Sequence, residues 1–172
     1  MSRPAKAPFK IQIDGASRGN PGPSGVGIVI LNEAGKRLKE LAIYLGEATN
    51  NVAETCALIL SLQEISRLGA KRVTVLTDSE LLARQVTGVY RVRDTQLQWL
   101  HVLIQNLIAG FDHFEIQHVP REKNRAADRL ANRAVDDIIK QGRRPDGRLP
   151  AVRGGRKVRT PQGSGMGNTH PS

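Results

Sequence analysis

Residues 9–45 read FKIQIDGASRGNPGPSGVGIVILNEAGKRLKELAIYL, and this stretch decides the fold class. It contains three runs in which apolar residues alternate with polar ones or in which β-branched residues dominate, the pattern that predicts strands. The three runs are 9–14, 26–31 and 37–45. We expect a Gly/Pro-rich loop at 15–25 and a turn at 32–36, where Gly35 suits a positive φ. Such short connections predict three antiparallel strands in succession.

Helical and strand patterns alternate downstream of this stretch. Apolar residues recur at helical spacing in four segments, and two short apolar runs separate them. The predicted helices are 52–68, 79–87, 95–109 and 124–140, and the predicted strands are 72–77 and 113–119. Three antiparallel strands followed by α-β-α-β-α units predict an α/β domain over residues 9–140, with one mixed sheet between helices. Asn51 and Glu54 resemble a capping pair, and Trp99 is interpreted as a packing residue.

The positive charge of the chain is concentrated at its ends. The net charge is +10, of which residues 141–172 contribute seven basic residues against one acid. That segment is also rich in Gly and Pro, so we predict a disordered basic tail at 141–172 and a flexible N-terminus at 1–8. A basic tail adds sequence-independent attraction for nucleic acid. A solubilising role for the tail is the alternative.

Composition excludes several classes of protein. Cys56 is the one cysteine of the 172 residues, so no internal disulfide framework exists and a reducing compartment, the cytoplasm, is expected. No run approaches the roughly 20 apolar residues of a membrane span. A monomer that does not contact a membrane is the default expectation.

Four acids stand at corresponding ends of the predicted elements. Asp14 ends the first strand, Glu54 lies early in the first helix, Asp78 follows the strand 72–77, and Asp128 begins the last helix. Strand ends and the first turns of adjoining helices share one edge of an α/β sheet, where ligands gather. Clustered carboxylates select hard cations such as Mg²⁺ or Mn²⁺.

Each of the four acids also has a structural explanation. Asp14 before Gly15 suits an Asx turn, Glu54 suits a capping pair, and Asp78 suits the N-cap of the next helix. Asp128 near a helix N-terminus is favoured by the helix dipole. Only the joint placement at one edge favours a cation site.

Four sequence blocks resemble those of the type 1 ribonuclease H family. They stand in family order and cover about residues 9–137. The blocks are IDGASRGNPGPSGVGIVI (13–30), ATNNVAET (48–55), VLTDSELL (75–82) and HVPREKNRAADRLANRA (118–134). The resemblance implies a five-stranded sheet of order 3-2-1-4-5, with strand 2 antiparallel to the others and helices on both faces.

The resemblance also implies an activity. It is hydrolysis of the RNA strand of RNA–DNA hybrids by two-metal catalysis, leaving 5′-phosphate and 3′-hydroxyl ends. The implied catalytic and metal-ligating residues are Asp14, Glu54, Asp78 and Asp128, with two Mg²⁺ ions per site and Mn²⁺ as a substitute. Asp14 is expected to bridge the two ions.

Further residues are implied as substrate contacts. The family reads the ribose 2′-hydroxyl, the group that distinguishes RNA from DNA, with residues that correspond to Gly19, Asn20, Asn50 and Asn51. His118 stands ten residues before Asp128, a spacing comparable to that of the family's catalytic histidine, and an ordinary strand-end histidine is the alternative. Arg121 is expected to contact phosphate.

Departures from the best-known bacterial pattern and two rival functions stay open. The long basic protrusion after the second helix is missing, because 88–95 leads almost directly into the next helix. One rival is another phosphoryl-transfer enzyme on this fold, and the other is a nucleic-acid-binding module with vestigial acids. The 48–55 block and the GNPG loop favour the hybrid as substrate.

Overall fold

The computed structural model describes residues 8–141, which form five strands, four α-helices and one 3₁₀ turn. The strands are β1 (Phe9–Ser17), β2 (Gly22–Leu31), β3 (Arg37–Ala48), β4 (Arg72–Thr77) and β5 (His113–His118). The helices are α1 (Asn50–Arg67), α2 (Glu80–Val86), α3 (Thr95–Ile108) and α4 (Arg125–Lys140), with the 3₁₀ turn at Arg121–Lys123. The expected flexible N-terminus and basic tail lie outside the described residues, apart from Pro8 and Gln141.

The sheet order is β3-β2-β1-β4-β5, which confirms the predicted topology. β2 runs antiparallel to β1 and β3, whereas β1, β4 and β5 are parallel. The parallel pairing of β1 with β4 ends at Ile13 and Thr77, where β4 ends. β1 itself continues to Ser17 in its pairing with β2, so the prediction that Asp14 ends the first strand is wrong. Asp14 and Asp78 follow Ile13 and Thr77, so the topology places the two acids side by side.

The two faces of the sheet are covered by different helices. Val26, Ile28 and Ile30 of β2 point into the core formed with α1, α2 and α3. Alternate residues of a strand face opposite ways, and Gly25 and Gly27, on the other face of β2, lie against α4. A Cβ built on Gly27 would come within 2.6 Å of the Ala131 amide nitrogen and would overlap the Ala127 carbonyl. These glycines therefore let α4 approach the sheet closely.

The predicted loop at 15–25 is wrong in extent, because β1 and β2 run through most of it and leave only residues 18–21 as the connection. Gly15 lies in β1, where a Cβ would come within 2.8 Å of Glu54 Cα. Gly15 and Gly25 thus serve close packing of backbone against α1 and α4, whereas Gly19, with φ +111°, serves the turn. Sequence composition does not distinguish these two roles.

Two predictions about helices are also wrong. The N-cap of α1 is Thr49, whose hydroxyl accepts from the Val52 amide, so the helix begins earlier than expected and Glu54 lies in its second turn. Trp99 does not pack in the core, since 70% of its surface is exposed on α3. None of the helices in residues 8–141 has the length and apolar character needed to cross a membrane.

Candidate active site

Four acidic side chains from four elements line one cavity. Asp14 comes from β1, Glu54 from α1, Asp78 from the residue after β4, and Asp128 from the first turn of α4. The cavity has a volume of about 230 Å³ and lies at the sheet edge where the pairing of β1 with β4 ends. We call it the acid-lined cavity. Its remaining lining residues are Gly15, Ala16, Ser17, Arg18, Asn50, Arg121 and Asn132.

Asp14 is the acid of this cavity that is repelled by all three of the others. Only 8% of its surface is exposed. Burial, followed by the negative charges of Asp78, Asp128 and Glu54, raises the pKa of Asp14 from 3.8 to about 8. A hydrogen bond from the Gly15 backbone opposes this shift. The folded chain therefore disfavours the Asp14 carboxylate unless a positive charge is brought to the cavity.

The ionised form of Glu54 is also disfavoured in the folded chain. Burial raises its pKa, and the charge of Asp78 acts in the same direction. Hydrogen bonds from the side chains of Ser79 and Asn50 oppose the increase. The side-chain amide of Asn50 donates to Glu54 Oε1 at 3.2 Å, so the side chain of Glu54 is held towards the cavity.

Asp78 is positioned by an asparagine, and it does not cap α2. The N-cap of that helix is Ser79, whose hydroxyl accepts from the Leu82 amide. The side-chain amide of the fully buried Asn124 donates to Asp78 Oδ1 at 2.9 Å and to the Ile13 carbonyl at 2.8 Å. The Asn124 carbonyl accepts from the Asp128 amide at 3.1 Å. Asn124 thus ties together the three segments that carry Asp14, Asp78 and Asp128.

Asp128 accepts hydrogen bonds from one cationic side chain and one amide side chain. Arg121 donates to its Oδ1 at 2.8 Å, and the side-chain amide of Asn132 donates to the same oxygen at 3.2 Å. Asn132 in turn accepts from Arg18 at 2.7 Å, and Arg18 also pairs with Asp136 at 2.8 Å. Asp128, Asn132 and Asp136 are four residues apart on α4 and therefore share one face. That spacing is the sequence signal that identifies Asn132, a residue which our sequence predictions missed together with Arg18.

The other predicted site residues are divided between the cavity and its surroundings. Asn50 and Arg121 line the cavity, whereas Gly19, Asn20, Asn51 and His118 are not among its lining residues. Asn20 lies beside Asn50, because its Oδ1 accepts a hydrogen bond from the backbone amide of Asn50 at 3.1 Å. Asn51 is exposed on the first turn of α1. His118 is the last residue of β5 and is also exposed.

The donor set of the acid-lined cavity fits divalent cations with oxygen ligands. Four carboxylates converge there, and burial, followed by repulsion from neighbouring acids, raises the pKa values of Asp14 and Glu54. Within residues 8–141, no three His, Cys, Asp or Glu side chains are already arranged around a single metal position. Asp128 is instead turned to Arg121, and Asp78 to Asn124. A cation would have to compete with Arg121 for Asp128.

The chain is similar to a known protein family and to a curated relative. The model of a family described as "Reverse transcriptase-like" matches residues 12–134. The ribonuclease HI of Halobacterium salinarum is 44% identical over 124 residues, which cover 72% of this chain and 62% of that protein. The chain belongs to the ribonuclease H family.

Solved structures of the ribonuclease H family extend the comparison to the fold. RNase H1 from H. salinarum superposes with a TM-score of 0.74 at 41% identity, covering 76% of this chain and 99% of that one. LC11-RNase H1, solved in complex with an RNA/DNA hybrid, has a TM-score of 0.72 at 42% identity and covers 76% and 99%. The chain nevertheless spans only 62% of the length of the curated H. salinarum relative.

Proposed function

We propose that this ribonuclease H-family protein is an endonuclease that hydrolyses the RNA strand of RNA–DNA hybrids and leaves 5′-phosphate and 3′-hydroxyl ends. The observation that carries the proposal is the convergence of Asp14, Glu54, Asp78 and Asp128 on one cavity beside Asn50. The crystallised relative LC11-RNase H1, at 42% identity, binds an RNA/DNA hybrid, which supports the same substrate here.

The four carboxylates would hold two Mg²⁺ ions, with Mn²⁺ as a substitute. Such ions supply activation of a water nucleophile and neutralisation of charge on the leaving oxygen. Asp14 is best placed to serve both ions, because it is the most buried of the four and is repelled by each of the others. We assign Glu54 and Asp78 to one ion and Asp128 to the other.

The polar residues around the carboxylates position them and the substrate. Asn124 fixes Asp78 relative to β1, and Asn132 orients Asp128 through the contact with Arg18. Arg121, whose side chain is 73% exposed, is close enough to hold Asp128 and to contact a phosphate. Because Arg121 lines the acid-lined cavity and His118 does not, we favour Arg121 over His118 as the residue beside the reacting phosphate.

Choice of RNA over DNA is assigned to the N-terminal end of α1 and the loop beside it. The Asn50 side chain lines the cavity, and its backbone amide binds Asn20 of the loop between β1 and β2. This contact joins the GNPG loop to the metal-ligating Glu54. We propose that Gly19, Asn20, Asn50 and Asn51 contact ribose 2′-hydroxyls, the group that marks RNA.

The cellular setting is also proposed. A reducing compartment, the cytoplasm, fits a chain with the single cysteine Cys56. We expect a monomer, and we expect the basic segment 141–172 to add non-specific attraction for nucleic acid.

Cleavage of labelled duplexes tests the proposal. RNA–DNA, DNA–DNA and RNA–RNA duplexes are incubated with the full chain in Mg²⁺, Mn²⁺ or EDTA. We expect cleavage of the RNA strand of the hybrid alone, and only with a divalent cation. Cleavage of DNA–DNA without cleavage of the hybrid would establish the rival nuclease, and binding without cleavage would establish the binding module.

A pair of isosteric variants locates the activity. Asp78→Asn removes one proposed ligand at nearly constant volume and is expected to abolish turnover with the fold preserved. Asp112→Asn is the matched control, because Asp112 is exposed just before β5 and does not line the acid-lined cavity. Wild-type rates in Asp78→Asn would remove Asp78 from the catalytic set.

A further inference from the structure

A second cavity adjoins the acid-lined cavity on the side of α4. Its volume is about 490 Å³, and its lining residues are Arg121, Glu122, Arg125, Asp128 and Arg129. We call it the arginine cavity. Arg121 and Asp128 line both cavities, so the two spaces share a wall.

The three arginines converge because of their spacing. Arg125 and Arg129 lie four residues apart on α4 and therefore on one face of the helix, and Arg121 precedes them by another four. Arg125 and Arg129 are exposed, and within residues 8–141 neither makes an ion pair or a side-chain hydrogen bond. Other exposed arginines of residues 8–141, such as Arg91 and Arg93, also lack an ion pair, so the cavity shared with Arg121 is what distinguishes Arg125 and Arg129.

The charge balance of this cavity favours an anion. Glu122 and Asp128 are the acids that line it, and Asp128 is already bound by Arg121 at 2.8 Å. Two like charges at i and i+4 destabilise a helix slightly, and an anion between them removes that repulsion. The planar guanidinium presents paired donors that match two oxygens of a phosphate. The N-terminal half of α4 adds a favourable dipole.

We propose that Arg125 and Arg129 bind a backbone phosphate of the RNA strand, adjacent to the phosphate that is cleaved. The inference rests on the proposed function and extends it to a neighbouring subsite. The phosphate is assigned to the RNA strand because the two cavities share Arg121 and Asp128. If the phosphate of the cleaved RNA linkage lies beside Asp128, the neighbouring phosphate of the same RNA strand lies in the arginine cavity. The two arginines thus set the path of the RNA strand along α4 and do not act on the reacting atoms.

The salt dependence of catalysis tests the subsite. R125Q/R129Q and the control R133Q are prepared in the full chain, and kcat and KM for a hybrid are measured across a series of salt concentrations. Arg133 is exposed one turn further along α4 and does not line the cavity. For the double variant we expect KM to increase about tenfold at low salt with kcat nearly unchanged. The slope of log(kcat/KM) against log[salt] should flatten by roughly 0.9, because the double variant loses the contact with one phosphate.

Hybrids with uncharged methylphosphonate linkages throughout the DNA strand test the strand assignment. The difference between R125Q/R129Q and the wild type should persist with this substrate, because the contacted phosphate is on the RNA strand. Disappearance of the difference would overturn the assignment to RNA. An unchanged KM and slope in R125Q/R129Q, or an equal change in R133Q, would overturn the subsite itself. If the wild type cleaved no hybrid, the proposed function would fail first, and the subsite with it.

Discussion

Replacing Asp14 by Asn is expected to stabilise the metal-free protein while it abolishes cleavage of hybrids. The carboxyl group of Asp14 is buried among three other acids, and its pKa is raised from 3.8 to about 8. Asn keeps the shape of the side chain and removes the charge. The substitution therefore removes the cost of burying this carboxyl group, whether it is ionised beside the other acids or held protonated.

The sign and size of the effect follow from proton linkage. In the unfolded chain Asp14 loses its proton near pH 3.8, whereas the folded chain retains it to about pH 8. The contribution of this group to stability is therefore fully present below pH 3.8 and is lost as the pH rises towards 8. One pKa unit corresponds to about 1.4 kcal/mol, so the loss at pH 7 is at most about 4 kcal/mol.

Thermal unfolding in EDTA measures this difference. At pH 7 we expect Asp14→Asn to unfold with a free energy about 2–4 kcal/mol higher than wild type, which corresponds to roughly 6–12 °C in Tm for a domain of this size. The difference should vanish near pH 4. Mg²⁺ should raise the Tm of wild type and leave that of Asp14→Asn nearly unchanged. Asp112→Asn is the control, with an expected change within about 0.5 kcal/mol.

A destabilised Asp14→Asn variant at pH 7 in EDTA would refute the reasoning. It would mean that the carboxylate of Asp14 makes favourable contacts that outweigh the burial and the three neighbouring acids. An equal increase in the Tm of both proteins on addition of Mg²⁺ would show that Asp14 is not needed to bind the cation.

Three other substitutions or deletions have defined outcomes. Asn124→Ala leaves the buried Ile13 carbonyl and Asp78 without their shared donor, so we expect a loss of about 1–3 kcal/mol in denaturant unfolding and a lower kcat with KM little changed. An unaltered kcat would show that Asp78 does not need this support. Gly27→Ala forces a Cβ against the Ala127 carbonyl, and we expect it to destabilise by about 3 kcal/mol or more by the same measurement. Gly110→Ala, which meets only the Leu107 carbonyl at 3.3 Å, should be much milder, and equal losses would contradict close packing of α4 on β2. Deletion of residues 141–172 should weaken hybrid binding and flatten its salt dependence, and an unchanged slope would leave the tail a solubilising role.

The element types were predictable from the sequence because the apolar periodicities are strong. The 3.6-residue pattern of α4 and the alternation in β1 each survive in the structure. The sheet order itself came from the family resemblance and not from periodicity. The hairpin of β1 and β2 was predicted, but its strands were made too short, because glycine gives the same compositional signal in a turn and at a close contact of backbones. Trp99 was misplaced because an apolar residue on a helix does not by itself show which face the core covers.

The four acids could be named from the sequence, but the groups that hold them could not. Ser79 caps α2 and so leaves Asp78 available to the cavity, a choice between neighbouring residues that capping preferences leave open. Asn124 contacts residues more than forty positions away in the chain, and no local pattern shows such contacts. Arg18 reaches Asn132 because α4 packs against β2, which brings the connection between β1 and β2 close to the helix.

Diffraction from crystals grown with a hybrid and Mn²⁺, collected at the anomalous signal of manganese, tests most directly whether the four carboxylates share a cation site. For Asp14→Asn, whose hybrid should stay intact, weaker or absent signal is expected. For the wild type with a non-cleavable hybrid, we expect two peaks in the acid-lined cavity, with Asp14 contacting both. Peaks outside that cavity, or none at saturating Mn²⁺ in crystals that hold the hybrid, would contradict the assignment of these residues as metal ligands.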